Sequence, residues 1–96
     1  MQIEEAKKIF IDVLESMPGV KKIVYEPEED KDKKLPNFQV EKTEKGFDFM
    51  ITLIVLLSTN VKQLVSQIGE TLRYVMKKNG AYVNKLNIFI EGITND

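Results

Sequence analysis

Few side chains in this sequence could perform acid–base or nucleophilic chemistry. Histidine and cysteine, which supply the commonest general base and the thiolate nucleophile, are absent from all 96 residues. Asp48 and Thr52 share one face of a predicted strand, a pattern that is typical of the solvated side of a sheet. Ser58, Thr59 and Asn60 superficially look like a catalytic cluster, but they directly precede a helical pattern and therefore indicate helix capping. The sequence predicts no catalytic and no cofactor-binding residues.

An acidic run in the first half of the chain is the candidate for a metal site. Its carboxylates are Glu28, Glu29, Asp30 and Asp32. A calcium loop needs ligands at alternate positions, a glycine in the middle and a final glutamate, whereas lysines interrupt this run and it has no glycine. Pro27 to Pro36 also holds only one apolar residue in ten. We therefore predict a mobile charged loop over residues 27–36, and no metal site.

The elements that would position any site follow from hydrophobic spacing and turn residues. Repeats of three and four predict amphipathic helices, and alternation predicts strands. Asn60 is the expected cap of the second helix, and Gly80 is expected to end it with a positive φ. Gly46 is expected to close a hairpin turn. The predicted elements are a helix over 3–17, strands over 20–26, 37–43 and 46–57, a helix from 60 to 79 and a strand over 83–91.

The predicted fold is a single α+β domain over residues 1–96. Apolar residues make up 43% and charged residues 30% of the chain, as in ordinary globular proteins. The second helix joins two strands, which normally makes those strands parallel. We expect a two-layer sandwich in the order helix-strand-strand-strand-helix-strand, with a mixed sheet and both helices on one face.

The long strand over 46–57 has an unusual second face. Its odd-numbered positions form an unbroken apolar row, which predicts burial under the helices. The other face then shows Met50 and Ile54, and the same side of the last strand shows Phe89 and Val83. A free sheet face is expected to be polar, and a contiguous apolar patch marks an interface more often than not. We predict that Met50, Ile54, Phe89 and Val83 form a partner interface.

Targeting signals and membrane spans are not expected. The first residues are acidic, and no apolar run of signal-peptide length follows them. The longest apolar stretch is about 11 residues, interrupted by Asp48 and Thr52, well short of the ~20 residues that a membrane helix needs. The sequence predicts a cytoplasmic protein without direct membrane insertion.

The second half of the chain resembles the alkaline shock protein family of Gram-positive bacteria. The resemblance lies in the long strand from Phe47, the Asn60-Val61 helix start, the Asn79-Gly80 pair and the final strand Val83–Ile93. Pro18-Gly19-Val20 fits the end of the family's first helix. The resemblance implies an interaction protein without enzymatic activity, linked to envelope stress and cell-wall homeostasis. It also implies self-association or a protein partner, with a membrane anchor protein as one such partner.

An RNA- or ribosome-associated module of KH-like topology is the alternative function. The order of helices and strands occurs among RNA-binding folds, and Arg73, Lys77, Lys78 and Lys85 could form a small basic patch. A KH module clamps the nucleic-acid backbone with a Gly-x-x-Gly loop, which the sequence lacks, and the net charge is -1. We therefore do not expect a nucleic-acid partner. The sequence identifies no small-molecule substrate.

Overall fold

The computed structural model describes residues 1–24 and 38–95, which form two helices and four strands. The predicted order of elements is confirmed. The charged segment 27–36 lies outside the described residues. In chain order the elements are α1 (Ile3–Glu15), β1 (Val20–Val24), β2 (Gln39–Thr43), β3 (Gly46–Leu56), α2 (Val61–Lys78) and β4 (Val83–Thr94).

The sheet is built around β3. On one side β3 pairs along its whole length with β4, which runs parallel to it because α2 carries the chain back across the sheet. On the other side β2 and β1 share the edge of β3, and both are antiparallel to it. β2 covers Gly46–Met50 and β1 covers Thr52–Val55. The predicted mixed sheet is therefore present.

Both helices cover the face of β3 that carries its odd-numbered side chains. These side chains are between 0 and 3% exposed and belong to one hydrophobic cluster with residues of both helices. The rings of Phe10 in α1 and Phe49 in β3 lie 4.9 Å apart between centroids, in an edge-to-face arrangement. The prediction of an α+β two-layer sandwich is confirmed. The buried row of β3 consists of Phe47, Phe49, Ile51, Leu53 and Val55.

Local polar contacts fix the ends of α2 and the hairpin. The Asn60 side-chain oxygen accepts a hydrogen bond from the Gln63 backbone N–H at 3.0 Å, as the capping pattern predicts. Gly80 has φ +79°, the predicted left-handed conformation after the helix. Gly46 has φ +132°, and a β-carbon there would lie 2.5 Å from the carbonyl oxygen of Tyr82. Glycine is therefore required where β3 starts beside β4.

Two register shifts in β4 change which side chains share a face. Phe47 is opposite Val83, but Asp48 is opposite Lys85, so β4 has an extra residue at Asn84. Val83 therefore lies on the same side as Phe47, and it packs against the hydrophobic core. The prediction that Val83 points to the open side with Phe89 is wrong, because strict alternation does not hold through the bulge. A second shift follows Leu53, where the extra residue is Glu91.

Candidate functional site

No helix or strand of residues 1–24 and 38–95 packs on the side of the sheet opposite the helices, which is here called the open face. This face divides into two halves. The register aligns its side chains in rows across the strands, so neighbours in a row lie roughly 5 Å apart. The rows, from the hairpin end, are Glu41–Asp48–Lys85, Gln39–Met50–Asn87, Val24–Thr52–Phe89 and Lys22–Ile54–Gly92.

The half next to the hairpin is polar. The Asn84 side-chain amide donates a hydrogen bond to the Asp48 carboxylate at 2.8 Å, and the Gln39 amide donates to the Glu41 carboxylate at 2.7 Å. A pocket of about 220 Å³ is lined by polar side chains of this half, among them Gln39, Glu41, Asp48 and Lys85. Both carboxylates accept bonds from amides, so this half presents a hydrogen-bonded polar surface.

Asp48 and Thr52 do not form a pair. They are four residues apart on one strand, about 13 Å at the usual rise per residue, and Met50 lies between them on the same face. Thr52 is also fully buried, which corrects the prediction that it belongs to a solvated surface. The two residues therefore offer no acid–hydroxyl chemistry.

The other half of the open face is apolar, and we call its four residues Val24, Met50, Ile54 and Phe89 the open-face cluster. They surround Thr52: Val24 and Phe89 are its partners on the neighbouring strands, and Met50 and Ile54 are two residues away along β3. Met50 and Ile54 are partly buried and Phe89 is 36% exposed. The structure thus places three of the four predicted interface residues together.

Val24 is the member of the open-face cluster that the sequence did not reveal. It is 8% exposed and lies opposite Thr52 in the register of β1 and β3. Its place depends on β1 pairing with the end of β3, and no local pattern in the sequence gives that pairing. The hydrophobic run Ile23-Val24 was the available signal, since two consecutive apolar residues in a strand must point to opposite faces.

The polar segment Ser58-Thr59-Asn60 lies at the start of α2. Asn60 caps α2, and the Thr59 backbone N–H donates to the Leu56 carbonyl at 3.0 Å. A pocket of about 310 Å³ lies beside these residues and is also lined by Gln63 and Leu64. The Asn60 bond is the capping that the sequence indicates, and the Thr59 bond closes the turn before the helix.

The described residues contain neither a carboxylate group suited to a metal ion nor a helix suited to crossing a membrane. Within 1–24 and 38–95, no three or more Asp or Glu side chains group in a way that could hold a metal ion. The acidic run at Glu28 to Asp32 lies outside the described residues. Neither described helix combines the length and the apolar character that crossing a membrane requires.

Comparisons with known proteins give a structural likeness only. No family model matches the chain, and no curated protein matches it in sequence. The fold is similar to solved structures of the MamM CTD. A copper form of one MamM CTD variant superposes with a TM-score of 0.66 at 11% identity, covering 95% of this chain and 98% of that chain. A cadmium form of another variant gives 0.65 at 11% identity over 95% and 98%.

The MamM-CTD fragment 215-293 has a TM-score of 0.66 at 11% identity, with 95% of this chain and 99% of that chain covered. Because nearly all of both chains superpose, the likeness supports the whole architecture, including the helix-strand-strand-strand-helix-strand order. At this identity it shows a shared fold.

Proposed function

We propose that this chain is a non-enzymatic protein-interaction domain that binds a protein partner through the open-face cluster. The observation that carries the proposal is the convergence of Met50, Ile54 and Phe89 on the side of the sheet away from the helices. Antiparallel and mixed sheets with one free face usually make that face polar. An apolar group in the middle of such a face, bordered by Lys22 and by the polar half, fits a binding surface.

The resemblance to the alkaline shock protein family gives the proposal a cellular setting. In that setting the protein acts in envelope stress and cell-wall homeostasis, resides in the cytoplasm, and associates with the membrane through an anchor protein. The segments that carry the resemblance form the elements that it implies: Asn60 starts α2, Gly80 follows α2, and Val83–Thr94 forms the final strand. The anchor protein is then a candidate occupant of the open-face cluster.

Affinity capture with matched surface variants tests this function. The tagged chain and two variants, Ile54→Glu and Tyr74→Glu, are incubated with a detergent-solubilised lysate of the source cell, with and without RNase. Tyr74 is 67% exposed on α2, in the helix layer, so Tyr74→Glu adds the same charge on the other side of the molecule. We expect Ile54→Glu to lose a protein that both wild type and Tyr74→Glu retain.

The same experiment separates the possible outcomes. Circular dichroism first verifies that both variants are folded. Retention of every partner by folded Ile54→Glu would exclude the open-face cluster as the binding surface. A partner lost on RNase treatment would instead favour the RNA-associated module.

A further inference from the structure

β4 is an edge strand of unusual length. It has 12 residues and pairs with β3 on one side only, and among residues 1–24 and 38–95 no strand pairs with its outer edge. An edge of this kind presents a row of backbone N–H and C=O groups that can pair with another strand. The outer edge of β4 is therefore a second surface available for association, distinct from the open-face cluster.

We propose that β4 pairs antiparallel with β4 of a second copy of this chain, about a two-fold axis that passes beside Ile88. The two sheets then form one continuous sheet, with the helices of both copies on the same side. This inference goes beyond the proposed function, because it concerns the edge of the sheet and a copy of the chain itself.

The charged side chains of β4 favour a second copy as its partner and also favour one register of pairing. Lys85 and Glu91 are exposed, and each lies three residues from Ile88. Antiparallel pairing about Ile88 places Lys85 of each copy opposite Glu91 of the other. The dimer therefore gains two cross-strand pairs of opposite charge.

The faces of the two strands also match in this register. The extra residues that shift β4 along β3 are Asn84 and Glu91, so the two irregular sites lie at nearly equal distances on either side of Ile88. Each extra residue then lies opposite the residue next to the other extra residue of the second copy. Between the two shifts, side chains from the same face stay opposite one another. The remaining pairs are Leu86 with Ile90, Asn87 with Phe89, Asn84 with Gly92, and Val83 with Ile93.

Exposed apolar area at the end of β4 fits the same arrangement. Ile93 is 56% exposed, although its partner on β3 is the fully buried Val55. In the dimer Ile93 meets Val83 of the second copy, which packs against that copy's core. The pairing would thus remove apolar surface from water at both ends of the strand.

Neighbouring registers lose these features. Moving the axis to Asn87 puts Lys85 opposite Phe89, and moving it to Phe89 puts Lys85 opposite Ile93. Neither arrangement pairs opposite charges at positions 85 and 91. The axis beside Ile88 is therefore the specific prediction.

Charge-swap variants test the proposal in sedimentation experiments on the purified chain. We expect wild type to show a reversible monomer–dimer equilibrium. Lys85→Glu or Glu91→Lys alone converts both attractive pairs to repulsive ones, which should weaken dimerisation by about 10- to 30-fold. The double variant restores both attractive pairs and should recover dimerisation. An equimolar mixture of the two single variants should form a heterodimer, because its cross-strand charges are again opposite.

Several results would overturn the inference. A wild-type chain that stays monomeric throughout the concentration series would mean that Lys85 and the two bulges protect the edge from pairing. Single variants that dimerise as wild type does, or a double variant that stays monomeric, would exclude this register. Ile54→Glu is the control: it should dimerise normally even if it loses its captured partner. Failure of the edge pairing and failure of the proposed function are thus distinguished.

Discussion

The two faces of β3 differ in how completely they are buried: both helices cover one face, and the other is the open face, where we propose that a partner binds. Its odd-numbered side chains are at most 3% exposed, because two helices cover them along the whole strand. Its even-numbered side chains change from Asp48, hydrogen-bonded to Asn84, to Ile54, which belongs to the open-face cluster. Alternation along the strand therefore identifies the buried face, whereas the neighbouring strands determine how polar the opposite face is.

The largest loss of stability is expected from a substitution on the buried face of β3. Leu53 is fully buried, so Leu53→Ala removes three carbon atoms from the core and leaves a cavity. We expect the free energy of unfolding to fall by about 2–5 kcal/mol, measured by urea denaturation. Met50→Ala, on the open face of the same strand, is the matched control and should cost less than about 1.5 kcal/mol. Equal losses from the two variants would contradict the division between the faces.

The next prediction concerns the start of β3, where the alignment with β4 begins. Gly46→Ala adds a β-carbon 2.5 Å from the Tyr82 carbonyl oxygen, at a φ of +132° that side chains rarely adopt. The Phe47 backbone N–H donates to that same carbonyl at 2.8 Å. We expect a loss of about 2–3 kcal/mol, the combined result of backbone strain and steric overlap. A denaturation midpoint equal to that of wild type would show that the two strands separate freely at this end.

Gly80 provides a matched comparison with a smaller effect. Its φ is +79°, but apart from its neighbours in the chain no described residue has an atom within 4 Å of the position that a β-carbon would occupy. Gly80→Val therefore brings backbone strain without a clash, and we expect a loss of about 1 kcal/mol in the same denaturation assay. A loss larger than that of Gly46→Ala would mean that the predicted ranking of the two substitutions is wrong.

Ile54→Glu is expected to have the smallest effect on stability and the largest effect on partner binding. Ile54 is partly buried on the open face, and Lys22 lies opposite it on β1. In Ile54→Glu the new carboxylate faces the Lys22 ammonium group, and this attraction offsets part of the lost apolar contact. We expect the free energy of unfolding to change by about 1 kcal/mol or less. An unfolded variant would instead show that the open-face cluster belongs to the core.

The fold was predictable because its signals are local. The apolar row from Phe47 to Val55, the cap at Asn60 and the glycine at position 80 each determine a structure within a few residues. The open-face cluster was predictable only in part. The prediction placed Val83 on the wrong face because the bulge at Asn84 reverses the alternation of side chains. No local sequence pattern predicts this bulge.

Val24 and Thr52 show the second reason for the incomplete prediction. Val24 reaches the cluster through the pairing of β1 with the end of β3, which joins residues about thirty positions apart. Thr52 is buried at the centre of that cluster, although its type and its alternation predict a solvated position. Long-range strand order determines both placements, whereas the interface predicted at Met50, Ile54 and Phe89 awaits its test.

Methionine oxidation tests most directly whether a partner covers the open face. Met50 lies in the open-face cluster, and Met76 is fully buried beneath the sheet's other face. Dilute peroxide converts accessible methionine to the sulfoxide, and peptide mass spectrometry measures each site separately. In the free chain we expect Met50 to oxidise faster than Met76. In the complex with the captured partner, Met50 should slow severalfold while Met76 stays unchanged. If Met50 oxidised at the same rate in the free and the bound chain, the result would contradict the proposal that the open face is the binding surface.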